Sequence, residues 1–161
     1  MSRIYTIPFT GTITNAGGNT DWIELVPATN KPVKLLSFIW GQSTEVGDAS
    51  EEGLSLTLIR ASGAYTSGSG GSTPTPAKAD PSQAAQGFTV EANNTTPLSG
   101  GTQDVLEEWA WNERNSPCEL RWDDEREKYT FRPTEALVIR MNTTPVDDFT
   151  LSYTLKVEEE G

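Results

Sequence analysis

The residues with the most chemistry to offer sit in two short runs, "EEWAWNE" (107–113) and "LRWDDE" (120–125). They bring Glu107, Glu108, Asp123 and Asp124 close in sequence to Trp109, Trp111 and Trp122. Two acids about 5–10 Å apart across a cleft, beside rings that stack on sugars, are what glycoside hydrolysis requires. The same tryptophans without an acid pair would serve a lectin-like sugar site. Chain spacing alone pairs no two of these acids across a cleft. Tryptophans in a β protein are more often core or interface anchors than sugar platforms.

Other catalytic sets are missing at the level of residue type. The chain has no histidine, so Ser-His-Asp, Cys-His and Glu-x-x-His arrangements are excluded. No serine sits in a G-x-S-x-G elbow. "SGSGGS" (67–72) is glycine-rich but lacks the Lys-Ser/Thr of a phosphate loop. Cys118 is the single cysteine, so no intrachain disulfide forms. Acidic neighbours would raise its thiol pKa, and it reads as a small buried filler. "EVGDASEE" (45–52) and "PVDD" (145–148) offer oxygen ligands for calcium, but the spacing does not fit a D-x-D-x-D-G loop. They read as solvated acidic loops, and no metal or cofactor is expected.

The charge balance narrows the partners. A net charge of −11 argues against gripping nucleic acid or an anionic membrane, both of which call for Lys and Arg. No stretch approaches the roughly 18 apolar residues of a membrane helix. "MSRIYTIPFTGTIT" (1–14) has no apolar signal region, which reads as synthesis in the cytoplasm without standard secretion.

The elements that must position these residues are strands. Period-two or short apolar runs occur at 3–14, 21–28, 54–62, 87–96, 117–123, 136–142 and 149–160. "VKLLSFIWGQ" (33–42) is the most apolar and reads as a central strand buried on both faces. "TQDVLEEWAWNE" (102–113) fits helix or strand, and its β surroundings favour strand. Eight or nine strands with turns between them predict an all-β antiparallel two-sheet sandwich, most simply a jelly roll.

The stretch "TSGSGGSTPTPAKADPSQAAQ" (66–86) interrupts this pattern. As a linker it would leave two halves too poor in strands to close separate cores, so residues 1–161 read as one domain. Stretched out, it could span ~70 Å. Its Pro-rich centre favours extended geometry, which lowers the cost of docking. The reading is an extended loop or arm that lies on a neighbouring subunit, with a free solvated loop as the plain alternative. Expected contact residues are Thr73, Pro74, Thr75 and Pro76 in the arm, and Ile4, Tyr5, Ile7 and Phe9 in the first strand. Trp109, Trp111 and Trp122 are candidates for a partner or a glycan.

The wording of residues 5–60, then the Gly/Ser/Thr/Pro segment, then "GFTVEANNTTPLSGGT" (87–102), resembles small virion proteins of tailed phages and prophages. The comparison is with capsid decoration, or cement, proteins. The likeness covers nearly the whole chain, except the charged insert 112–131. It implies a non-enzymatic structural protein on the outer capsid, assembled in the host cytoplasm. The implied partners are the major capsid protein or another virion protein, and copies of itself, with a trimer favoured. A carbohydrate-binding sandwich of a head fibre or tail component is the rival expectation.

Overall fold

The computed structural model describes residues 2–16, 18–44, 51–115 and 117–161. Among them are eleven strands and no helix. The clearest is β11 (Phe149–Glu159), where Phe149, Leu151, Tyr153, Leu155 and Val157 are buried and the residues between them face outward. That alternation is the pleat of a strand with one face on a core. β11 lies in the middle of its sheet, between β1 (Arg3–Ile13) and β3 (Val33–Gln42).

The first sheet runs β5-β1-β11-β3-β8, with β9 also on β3. Here β5 is Ala77–Lys78, β8 is Cys118–Arg121 and β9 is Thr130–Phe131. The second runs β6-β2-β10-β4-β7, from β2 (Thr20–Val26), β4 (Gly53–Thr66), β6 (Thr89–Asn94), β7 (Ser99–Asn112) and β10 (Ala136–Met141). Every pairing is antiparallel. The expected two-sheet sandwich is present, and the 102–113 segment is a strand.

The long-range pairs are nested: β1 with β11, β2 with β10, β3 with β8, β4 with β7. A single antiparallel ribbon rolled on itself gives this order. Strands from both sides of 66–86 share both sheets, since β1 needs β11 and β4 needs β7 and β10.

The inner faces close one aromatic-rich core. Trp22 meets Trp111 edge-on at 5.9 Å, and the Tyr153 hydroxyl of the first sheet donates to the Trp22 carbonyl of the second at 2.8 Å. A bulge at Trp22, between the Asp21–Arg140 and Ile23–Ile139 pairs, lets Trp22 and Ile23 both face inward.

One expectation is reversed. β3 is not buried on both faces: Val33, Leu35, Phe38 and Trp40 point in, while Ile39 is 36% exposed. The doubly buried strand is β2, whose residues 20–25 are all buried. The cause is a roof. The two ends of segment 66–98 lie against the outside of the second sheet, where Gly68 bonds Glu24 and Leu98 bonds Asp21, and Leu98 joins a separate cluster of Ile59, Ala61, Ala136 and Val138.

The 66–86 segment is neither an outreaching arm nor a free loop. It is a strap on its own chain. Ser69 and Thr96 exchange backbone bonds of 2.9 and 3.0 Å, and Ser72 and Ala92 exchange bonds of 2.9 and 2.8 Å. The strap then crosses to the other sheet, where β5 pairs with β1 and the Ala79 N–H donates to the Ile4 carbonyl at 3.0 Å. The Tyr5 hydroxyl donates to the Ala84 carbonyl at 2.9 Å. The glycines of "SGSGGS" have a mechanical reason: a Cβ on Gly71 would stand 2.2 Å from the Ala92 carbonyl oxygen.

Candidate interaction surfaces

Charged residues make up 22% of the chain, yet 4–20, 61–77 and 92–103 contain none. These three stretches are far apart in sequence, and the fold gathers them on one flank. Ala77 pairs with Thr6, Ser72 with Ala92 and Ser69 with Thr96. The Asn93 amide donates to the Thr12 carbonyl at 2.9 Å. The outward residues Pro8, Thr10 and Thr12 of β1 are exposed, as are Thr73 and Thr75 of the strap. An uncharged flank thus stands on a strongly acidic body.

Three buried carboxylates clip the 66–98 segment in place, each accepting a backbone N–H. Leu98 donates to Asp21 Oδ2 at 2.7 Å, Gly68 to Glu24 Oε2 at 2.8 Å, and Gly87 to Glu159 Oε1 at 2.6 Å. Two clips are balanced by cations. Arg140 forks onto Asp21 with bonds of 2.5 and 3.1 Å, and Arg3 and Lys31 approach Glu159 at 3.7 and 3.8 Å. Such a fork orients as well as neutralises. Glu24 instead has acids beside it. Burial pushes its carboxyl above the ordinary range, the Gly68 and Ser67 bonds pull it back, and Asp21 and Glu91 push it further up.

Beside Glu24 the strap encloses a hollow of about 430 Å³, walled by Thr73, Pro74, Pro76, Phe88 and Glu91 among others. Glu24 and Glu91 are cross-strand partners, and the Asn94 amide bridges them at 3.4 and 3.0 Å. The acids here are tied into the scaffold. Their sequence signal was an acid inside the apolar strand "DWIELV", and the bulge at Trp22 sets Glu24 on the face opposite Trp22.

The predicted contact residues divide. Tyr5 and Ile7 are fully buried, so their side chains belong to the core and not to a contact surface. Ile4 and Phe9 are half-buried at the rim of β1, Thr73 and Thr75 are exposed, and Pro74 and Pro76 are half-buried against the hollow.

The tryptophan group forms the opposite wall of the sandwich. Trp111 is 2% exposed and donates to the Asn115 carbonyl at 2.7 Å. Trp122 is 7% exposed and donates to Glu107 Oε1 at 2.8 Å, bridging the sheets. Trp109 is half-buried against Trp40, ring centres 5.9 Å apart. These rings pack inward rather than lie flat for a sugar, which corrects their reading as a surface platform. Glu107, one of the four acids named for a hydrolytic pair, accepts the Trp122 indole N–H and lies beside Tyr129.

Cys118 is half-buried, and its thiol donates to the Asn115 carbonyl at 3.2 Å. Burial raises its pKa, against an opposing hydrogen bond with Trp111. Most of the "EVGDASEE" calcium candidate, residues 45–50, lies outside the described residues. In the "PVDD" turn, Asp148 Oδ1 accepts the Asn15 N–H at 2.7 Å. No group of three metal-ligating side chains occurs among the described residues.

No family model and no curated protein matches the chain. The solved structures that align with it include two of one virus. One is infectious bursal disease virus, Gx strain, at 14% identity over 98% of this chain, with a TM-score of 0.20. The other is a point mutant of the VP2 protein of the same virus, from derived T=1 particles, at 12% identity over 99%, also with a TM-score of 0.20. The chain spans 42% and 40% of the length of those chains.

Proposed function

We propose that this chain is a non-enzymatic structural protein of a tailed-phage particle, bound to the outer capsid as an oligomer that reinforces the shell. The observation that carries the reading is the uncharged flank that residues 4–20, 61–77 and 92–103 form together, on a chain of net charge −11. Burying an unpaired charge at a contact is costly, so a protein-binding face in an acidic chain is where charge is absent. The strap holds this flank rigid, which lowers the entropy lost on docking. DNA packed inside a shell would repel such an acidic protein, which favours the outside. Repeated copies around a local symmetry axis would add avidity. The partner on this reading is the major capsid protein.

The test is co-sedimentation with particles assembled without this protein. The parent should sediment with them. Thr10→Glu and Thr75→Glu, both at exposed positions on the flank, should weaken binding by about tenfold or more with Tm unchanged. Glu127→Gln, away from the flank, should bind as the parent does. A parent that stays in the supernatant, or flank variants that bind as tightly as the parent, overturns the reading.

A further inference from the structure

Three exposed large hydrophobics stand out among the described residues: Ile39, Val105 and Val146. Two of them, Ile39 and Val105, lie on different sheets. Ile39 is on the outer face of the first sheet, two positions along β3 from Ser37. Ser37 is flanked in register by Lys156 of β11 and Arg121 of β8. Those two cations and Lys128 line a hollow of about 180 Å³, with Asp123 as the acid in its wall. Arg121 is paired with Glu119 at 2.8 Å and Lys128 with Glu125, whereas Lys156 has no carboxylate partner among the described residues and is exposed. With Glu119 (opposite Ile39 in register) on Arg121 and Glu125 on Lys128, Lys156 is the positive charge left uncompensated here among the described residues.

Val105 is on β7, the edge of the other sheet, and is 56% exposed. β7 is fourteen residues long and has β4 as its one strand partner among the described residues. The opposite side of the sandwich is covered by the strap, but this edge is not. Residues 92–113 carry no Lys or Arg, and β7 carries Asp104, Glu107 and Glu108. A bulge between the Val105–Ile59 and Glu107–Leu58 pairs breaks the alternation. Val105 (opposite Ile59) and Glu108 (opposite Thr57) consequently share the outer face of the sheet. Long exposed edges are places where further chains attach.

We propose that these two surfaces bind each other between copies of this chain: the β7 ridge of Val105 and Glu108 on one copy seats against Ile39 and Lys156 on the next. Each surface sets an exposed apolar residue near an exposed charge, and the two charges, Lys156 and Glu108, are opposite in sign. Because the two lie on different sheets, the contact is head-to-tail, and such contacts close into rings when the rotation allows. Self-pairing of two β7 edges would instead set acid against acid. The inference rests on the oligomeric part of the proposed function and names its contact.

The experiment is mass photometry and sedimentation velocity on the full chain and on Lys156→Glu, Glu108→Lys and the double variant. Both positions are exposed, so Tm and circular dichroism should match the parent. The parent should form a closed oligomer that loosens as salt rises. Each single variant should weaken assembly by about tenfold or more, and the double variant should recover to within a few-fold, because every contact then carries a swapped pair. Single variants that assemble as the parent does, or a double variant that fails to recover, overturn the contact. So does a monomeric parent at all concentrations. Particle co-sedimentation separates the two claims: a monomer that still binds particles removes this contact and leaves the shell-binding reading standing.

Discussion

Gly68 and Glu24, 44 positions apart, meet where the Gly68 backbone N–H donates to Glu24 Oε2 at 2.8 Å. That bond ties the start of the strap to the buried outer face of β2. It also sets a buried carboxyl against a neutral donor, with Asp21 and Glu91 beside it.

Glu24 is therefore expected to make stability fall as pH rises. Its folded pKa is raised by burial above the unfolded value of about 4.3. Its contribution is complete below the unfolded pKa and is lost as pH passes through the folded one. Glu24→Gln keeps an oxygen for Gly68 and removes the charge. Its Tm should exceed that of the parent at pH 7, and the two should converge near pH 4. Thermal melts across that range check this, and parallel curves would refute it.

Gly71→Ala should loosen the strap. The added Cβ would meet the Ala92 carbonyl oxygen at 2.2 Å, a backbone atom that yields only by moving β6 or the strap. The expected cost is about 1–3 kcal/mol in urea unfolding. Hydrogen exchange at the Ser72 and Ala92 amides should speed up. Gly53→Ala, where a Cβ meets nothing within 4 Å, should stay within about 0.5 kcal/mol of the parent.

Arg140→Met should be the more damaging change. It would leave Asp21, which is fully buried, with the Leu98 N–H but without its guanidinium. Removing one partner of a buried ion pair costs about 3–5 kcal/mol. Equilibrium unfolding measures it directly, and a loss below about 1 kcal/mol would show that Asp21 finds another partner.

Cys118 should react slowly with thiol reagents at pH 7 in the folded protein. Burial raises its pKa and its hydrogen is engaged by the Asn115 carbonyl. Labelling should accelerate with pH and become fast in urea, since the thiolate is the reactive form. Fast labelling of the native protein at pH 7 would contradict the geometry.

The amino-acid sequence by itself determined the strands. The alternation in 149–160 and the apolar run 136–142 are local properties, because side-chain direction in a strand follows the pleat. They also determined the sign of the whole surface and the absence of histidine chemistry. What only the tertiary structure decided is which faces are covered. β2 is buried on both sides and β3 is not, because a distant segment roofs one sheet and leaves the other bare. The composition of 66–86 allowed reach, but its path depends on Glu24, Glu159 and β1, residues up to 79 positions away. The sequence likewise left Trp111 and Trp122 open between anchor and sugar platform, and only the fold hands their indole hydrogens to the Asn115 carbonyl and Glu107. Pattern is set by neighbours along the chain, whereas burial is set by neighbours in space, which rolling the ribbon brings together.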